Sequence, residues 1–202
     1  MDVGANYGEM IFYSSIPKDA DIVVVEPNKP IFECLRRNLK EFINVIYLNV
    51  AVGPITCVAF LDTTKGHSGR VGLSSEPTQN QIQVSNFAEI VNAYKSEKVL
   101  VKLDIEGGEF EIVCLTTKQS NSKIYWLVET HNFTNEEFSL LLSDYLVFDI
   151  DSPFKRVKVV SSESLHGYVE DTKKRGRNCL LIPKESPWSL TEVKKFRSLF
   201  FS

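Results

Sequence analysis

The sequence predicts an α/β fold, a doubly wound and mostly parallel sheet, and three observations carry that expectation. Short apolar runs rich in β-branched residues alternate with stretches of helical period, the pattern of repeated strand–helix–strand units. Three turns along the chain pair an acid with small or turn-forming residues, at Asp2, Glu26 and Asp104. The third observation is bulk composition: 202 residues, 43% hydrophobic and 24% charged, suffice for one packed core and are too apolar for a disordered chain.

Ile22 to Val25 is a β-branched run that stops at Glu26, where Pro27 and Asn28 break it. Phe32, Leu35, Leu39 and Phe42 then recur at helical spacing. Val45 to Val50 reads as the next strand, and Thr56 to Leu61 as another after the turn signal Gly53-Pro54. Residues 62–81 carry Gly66, Gly69 and Gly72 among polar neighbours with no sustained period, so a loop is expected there. Asn86 to Tyr94 has the pattern of a short amphipathic helix. Lys98 to Leu103 is a strand broken by Asp104, and a helix begins behind it over Gly107 to Leu115.

Ile124 to Val128 is a buried strand ending at Glu129. Thr134 with Glu137 three residues on is a capping box for a helix running to Leu142, and Ser189 with Glu192 is another for Leu190 to Phe200. Tyr145 to Ile150, Val157 to Val160 and Asn178 to Ile182 complete the strands. No repeat or linker divides the chain, so residues 1–202 are expected to form a single domain closed by a C-terminal helix over 189–202.

The turn Asp2-Val3-Gly4-Ala5-Asn6-Tyr7-Gly8 stands at the start of the chain with no strand before it. In a sheet of this kind that strand is central. Its absence predicts that the first central strand is missing, and that the start is internal to a longer protein or a misassigned initiation codon. An upstream run of about five apolar or β-branched residues is expected.

A net charge of -3 argues against a phosphate backbone as partner, so no nucleic acid is expected. Cys34, Cys57, Cys114 and Cys179 are far apart and form no metal spacing; they are expected to be reduced core residues in a reducing compartment. No run approaches the roughly 18 apolar residues of a membrane span, and the first residues lack a charged-then-apolar leader pattern, so a soluble, cytoplasmic protein is expected. Asn132-Phe133-Thr134 matches a glycosylation sequon, a pattern short enough to recur by chance.

Asp2 and Glu26 are 24 residues apart, one strand–helix–strand step, which places them on neighbouring strands facing one pocket at the carboxyl edge of the sheet. Gly4 and Gly8 let the backbone approach a ligand closely. A carboxylate ending the second strand accepts both hydroxyls of a ribose, one per oxygen. The alternative is that these acids only complement helix N-termini. A dinucleotide turn requires GxGxxG, which this turn does not satisfy. It satisfies the looser D-x-G-x-x-x-G used with S-adenosylmethionine, which has no phosphate to cradle.

Three blocks together, Asp2 to Gly8, Glu26-Pro27-Asn28, and Val101 to Glu109, resemble the signature blocks of the FkbM-type S-adenosylmethionine-dependent methyltransferases, and the resemblance spans residues 2 to about 183. It implies a Rossmann-like class I methyltransferase sheet of seven strands with an antiparallel last strand. It also implies S-adenosylmethionine as cofactor and methyl transfer to a hydroxyl of a sugar, glycolipid or natural product. By that resemblance Asp2, Gly4, Asn6 and Gly8 line the methionine end, Glu26 with Pro27 binds the ribose, Asn49 and Ala51 lie beside the adenine, and Asp104 stands nearest the reacting methyl. Asp104, Glu106, Glu129 and His131 are the candidates to accept the acceptor's proton, His131 having the ordinary pKa closest to neutrality. No metal is expected, although Asp104, Glu129 and His131 are oxygen and imidazole donors of a kind that binds divalent ions.

A catalytically degenerate cofactor-binding or interaction module is the alternative reading, and a nucleotide-dependent oxidoreductase a further one. The acceptor is expected to be a small molecule or carbohydrate. Lys173-Lys174-Arg175-Gly176-Arg177 reads as a solvated hairpin turn, and His67, Ser68 and Arg70 as loop residues placed to close over a substrate.

Overall fold

The computed structural model describes residues 1–61, 80–105, 107–130, 133–151, 157–174, 177–186 and 188–200. Eight strands among them form one sheet in the order β10-β9-β11-β8-β7-β1-β2-β3. These are β1 (Asp2–Val3), β2 (Ile22–Val25), β3 (Val45–Leu48), β7 (Lys98–Leu103), β8 (Lys123–Glu129), β9 (Tyr145–Asp149), β10 (Lys158–Val160) and β11 (Asn178–Pro183). From β3 across β2, β1 and β7 to β8 every pairing is parallel; β11 runs antiparallel to both β8 and β9, and β10 antiparallel to β9.

Alternation along the strands builds a core on each face. Val23 and Val25 of β2, with Val99, Val101 and Leu103 of β7, pack against α3 (Phe87–Ala93), α4 (Glu109–Gln119), α5 (Asn135–Asp144) and α6 (Leu165–Lys174). Ile22 and Val24 face α1 (Glu9–Phe12) and α2 (Lys29–Asn38), while Tyr125 and Leu127 face α7 (Leu190–Phe200). Helices therefore cover both faces, as the strand–helix alternation predicts. Both capping boxes form: Thr134 accepts from the Glu137 N–H and Glu137 from the Thr134 N–H, and Ser189 and Glu192 exchange the same bonds.

The expected strand before the first turn has a different form. Asp2 and Val3 are themselves the central strand, paired to Val24 and Val25 on one side and to Lys102 and Leu103 on the other. On the amino side of these two residues β2 and β7 have no β1 partner, and a cavity of about 690 Å³ opens between them, walled by Met1, Ile11, Ile22, Val99 and Leu100.

Elsewhere the sheet differs from the seven expected strands for local reasons. Lys158–Val160, the strand read from the sequence over Val157 to Val160, lies at the edge beyond β9 and makes eight where the resemblance implied seven. The run Val45 to Val50 splits because the chain leaves the main sheet at Asn49, whose amide donates to the carbonyls of Glu26 and Pro27 at 2.9 and 3.0 Å. It then joins a second, three-stranded sheet of β4 (Ala51–Gly53), β6 (Gln81–Asn86) and β5 (Cys57–Phe60), with β6 in the middle. Thr56 to Leu61 thus belongs to the small sheet. The loop expected over 62–81 gives way to β6 at Gln81, and 62–79, with His67, Ser68 and Arg70, lie outside the described residues. Asn132 of the sequon lies outside them too.

The basic run 173–177 is not a solvated hairpin at its end. Lys174 closes α6, Arg175 and Gly176 lie outside the described residues, and Arg177 is 5% exposed. Its guanidinium pairs with Asp149 at 3.6 Å and with Asp171, and donates to the Asp151 carbonyl. Of the four free cysteines only Cys179 is fully buried; Cys34, Cys57 and Cys114 are half-buried. No helix among the described residues is long and apolar enough to cross a membrane.

Because Asp149 is 3% exposed, removing its cation strands a buried carboxylate. Arg177→Ala is expected to cost about 3 kcal/mol of stability, read as a lower urea midpoint with unchanged slope.

Candidate active site

At the carboxyl ends of β1, β2 and β7 lies a cleft of about 450 Å³, within the range of small-molecule sites. One wall is the turn Val3 to Asn6, a second is Val25 to Pro27, a third is Val50 to Ile55 of the small sheet, and the floor is Lys102, Asp104 and the start of α4.

The first turn needs its glycines. Gly4 has φ +73°, and a Cβ there would lie 1.8 Å from the Asp104 carbonyl oxygen; Gly8, at φ +84°, caps α1 with no room for a Cβ against Leu35. The N–H groups of Gly4 and Ala5 both donate to the Val25 carbonyl, so the turn folds over the end of β2. Asn6 follows in the left-handed region at φ +50°.

Glu26 ties the second wall to the first. It is 6% exposed; its Oε2 accepts from the Asn6 N–H at 2.9 Å and its Oε1 from the Asn28 N–H at 2.8 Å. Each oxygen keeps acceptor capacity beyond its one bond. Burial pushes the Glu26 carboxyl above its ordinary 4.5, against the two N–H donors and Lys102, which act the other way. Glu109, 3% exposed, does the same work after β7: its Oε1 accepts from the N–H groups of Ile105 and Gly107 and closes that loop.

The expected cofactor residues divide by place. Gly4, Asn6, Glu26, Pro27, Ala51 and Asp104 are on the cleft wall. Asp2, Gly8 and Asn49 are not. Asp2 is 1% exposed and stands behind the turn, with Lys102 Nζ 3.6 Å from its Oδ1; Gly8 packs under α2; and Asn49 braces the Glu26-Pro27 backbone from outside. Of the expected proton acceptors, Asp104 lines the cleft and Glu129, half-buried at the end of β8, does not. Glu106 and His131 lie outside the described residues. Among those described, no three His, Cys, Asp or Glu side chains gather as a metal site.

Sequence reasoning missed Lys102, the lysine of β7 whose Nζ is 3.2 Å from Asp104 Oδ2 and donates to the Gly4 carbonyl at 3.2 Å. Its signal was available, a lysine inside an otherwise apolar strand two residues before an acid. Of the wall Val50 to Ile55 only Ala51 was singled out, and the acids Glu9 and Glu111 were missed. The cleft's charge is lopsided: Glu9, Glu26, Asp104 and Glu111 face it, and among the described residues on its wall Lys102 is the only cation.

The family model of the methyltransferase FkbM domain matches residues 2–168. The chain belongs to the FkbM methyltransferase family. In overall fold this FkbM protein is similar to the methyltransferase FkbM from Methylobacillus flagellatus KT, with a TM-score of 0.51 and 13% identity over 90% of this chain; it spans 42% of that protein's length. More distant likenesses are the precorrin-6y C5,15-methyltransferase from Geobacter metallireducens GS-15 (TM-score 0.44, 14% identity, 91% of this chain and 78% of that one) and the plantazolicin methyltransferase BpumL in complex with SAH (TM-score 0.40, 13% identity, 91% and 75%). No curated protein matches the chain.

Gly4→Ala forces a Cβ into a backbone oxygen at a left-handed φ, and neither can yield without moving the turn. The variant is expected to lose about 2 kcal/mol or more of stability, measured by thermal unfolding, and to lose ligand binding with it.

Proposed function

We propose that this FkbM protein transfers the methyl group of S-adenosylmethionine to a hydroxyl of a carbohydrate, glycolipid or natural product. The charge of the cleft carries the reading. Among the described residues, a pyrophosphate-bearing cofactor would meet four carboxylates and a single cation already engaged by Asp2 and Asp104, whereas a sulfonium cofactor with an ammonium end is attracted by the same walls. Family membership over residues 2–168 supports it independently.

The residues fit that cofactor. Glu26 holds the ribose hydroxyls with the acceptor capacity left on its two oxygens, Pro27 beside it; Val50, Ala51 and Val52 offer an apolar face for the adenine; and Gly4 to Asn6 hold the methionine end. Asp2, Gly8 and Asn49 contribute from behind, by fixing the turn and the Glu26 backbone. When bound, S-adenosylmethionine supplies an electrophilic methyl on a positively charged sulfur. Transfer then requires alignment and exclusion of water more than activation.

Asp104, 37% exposed at the side chain, would accept the acceptor's hydroxyl hydrogen bond and take its proton as the new oxygen–carbon bond forms and the methyl's bond to sulfur breaks, the electron pair staying on sulfur, which leaves as a neutral thioether. A carboxylate suffices, because the oxygen becomes strongly acidic as it is alkylated. Glu106, Glu129 and His131 are the further candidates for this proton. Exposed Glu9 and Glu111 at the rim offer acceptors to neighbouring hydroxyls of a sugar.

Calorimetry with S-adenosylhomocysteine tests the pocket: Glu26→Ala is expected to weaken binding by about a hundredfold, the loss of two hydrogen bonds to a charged acceptor. Unchanged affinity, or tighter binding of NAD, overturns the assignment. In the unaltered protein, affinity is expected to fall as pH drops toward the raised Glu26 pKa, at a pH above the ordinary 4.5, because protonation removes an acceptor. Asp104→Asn is expected to retain binding and slow methyl-label transfer to sugar acceptors by about a hundredfold or more. Full transfer in that variant removes Asp104 from the chemistry, and binding without transfer to any acceptor in the unaltered protein favours the degenerate module.

A further inference from the structure

We propose that Lys102 is a positioning residue of this cleft: its ammonium balances the buried Asp2 carboxylate and holds the Gly4 carbonyl, locking the first turn against the end of β7. The inference rests on the cofactor reading above only for what the turn then holds.

The register fixes the arrangement. Asp2 of β1 lies opposite Lys102 of β7, so their side chains leave the same face of two adjacent central strands. Asp2 is 1% exposed and, among the described residues, neither of its carboxylate oxygens has a hydrogen-bond partner. A buried carboxylate without hydrogen bonds is tolerated only beside a cation. Lys102 Nζ, at 3.6 Å, is that cation.

From the same position Nζ reaches two cleft atoms, the Gly4 carbonyl oxygen and Asp104 Oδ2, each at 3.2 Å. One ammonium thus spans the turn after β1 and the turn after β7, which already touch where Gly4 has no Cβ. Both turns wall the cleft.

The charged groups facing Lys102 are Asp2 from β1, Asp104 from its own strand and, at longer range, Glu26 at the end of β2. Burial alone would lower the Lys102 pKa, and Asp2 and Asp104 more than offset it, so the lysine stays charged. Asp104 reaches solvent and can be hydrated without the lysine. Asp2 cannot, so the consequence of losing Lys102 falls on Asp2.

Lys102→Met keeps the length and removes the charge. Its S-adenosylhomocysteine affinity is expected to fall about tenfold or more near pH 8 relative to the unaltered protein, because the buried Asp2 carboxylate is left without its cation. Asp2→Asn in the Lys102→Met background is expected to restore affinity near pH 8, and Lys102→Arg to retain most of it. The ligand-free proteins give the same decision through urea unfolding: Lys102→Met is expected to lower the urea midpoint, and the double variant to recover it. If the single variant does not fold, folding of the double variant supports the clamp. No penalty in Lys102→Met, or no rescue by Asp2→Asn, overturns it. Failure of the unaltered protein to bind S-adenosylhomocysteine would refute the cofactor reading while the unfolding comparison still decides the role of Lys102.

Discussion

The close approach of Gly4 to the Asp104 carbonyl is the constraint on which the site depends. Strands β1 and β7 are neighbours, and both chains turn at the same level over the sheet's carboxyl edge. With any side chain at Gly4 the two turns would stand apart, and the cleft floor between Asn6 and Asp104 would have a different shape. The contact is steric, but charge maintains it. Lys102 bridges the two turns from beneath, and Glu26 and Glu109 each gather two backbone N–H groups from adjoining loops. Irregular segments at a sheet edge leave backbone donors unpaired, and a buried carboxylate can satisfy two at once.

This division of labour explains why acids recur at the strand ends. Asp2, Glu26, Asp104 and Glu109 look equivalent in the sequence, as acids beside glycines or prolines. In the structure two are loop staples, one is a buried charge balanced by a lysine, and one presents its carboxylate to the cleft. Glu26 is both staple and wall. A site built this way is rigid and negatively lined before any ligand arrives, the preorganisation that favours a positively charged cofactor.

Local pattern made much of the fold legible. The runs at Ile22 to Val25 and Ile124 to Val128 are buried on both faces and read as continuous apolar stretches, Lys98 to Leu103 alternates, and the two capping boxes are complete within four residues. Less legible were the three-stranded sheet and helix α6. The first depends on the chain leaving the main sheet at Asn49, a decision made by hydrogen bonds to residues more than twenty positions away. In the second, Leu165 to Lys174 has too few apolar residues to announce a helix, and its buried Leu165 and Val169 find partners only in the assembled core.

By itself the sequence determined the alternating architecture, the family blocks, and Gly4, Glu26 and Asp104 of the cleft wall, because strand and helix periods, turn residues and strand-end acids are local properties. The tertiary structure alone decided which acid faces the ligand and which lies behind it, that Arg177 is buried between Asp149 and Asp171, and that Lys102 joins Asp2 to the cleft. Those outcomes depend on register between strands about a hundred residues apart, as in Asp2 opposite Lys102. A buried charge takes its role from the partner brought beside it by folding, and spacing along the chain does not encode that partner.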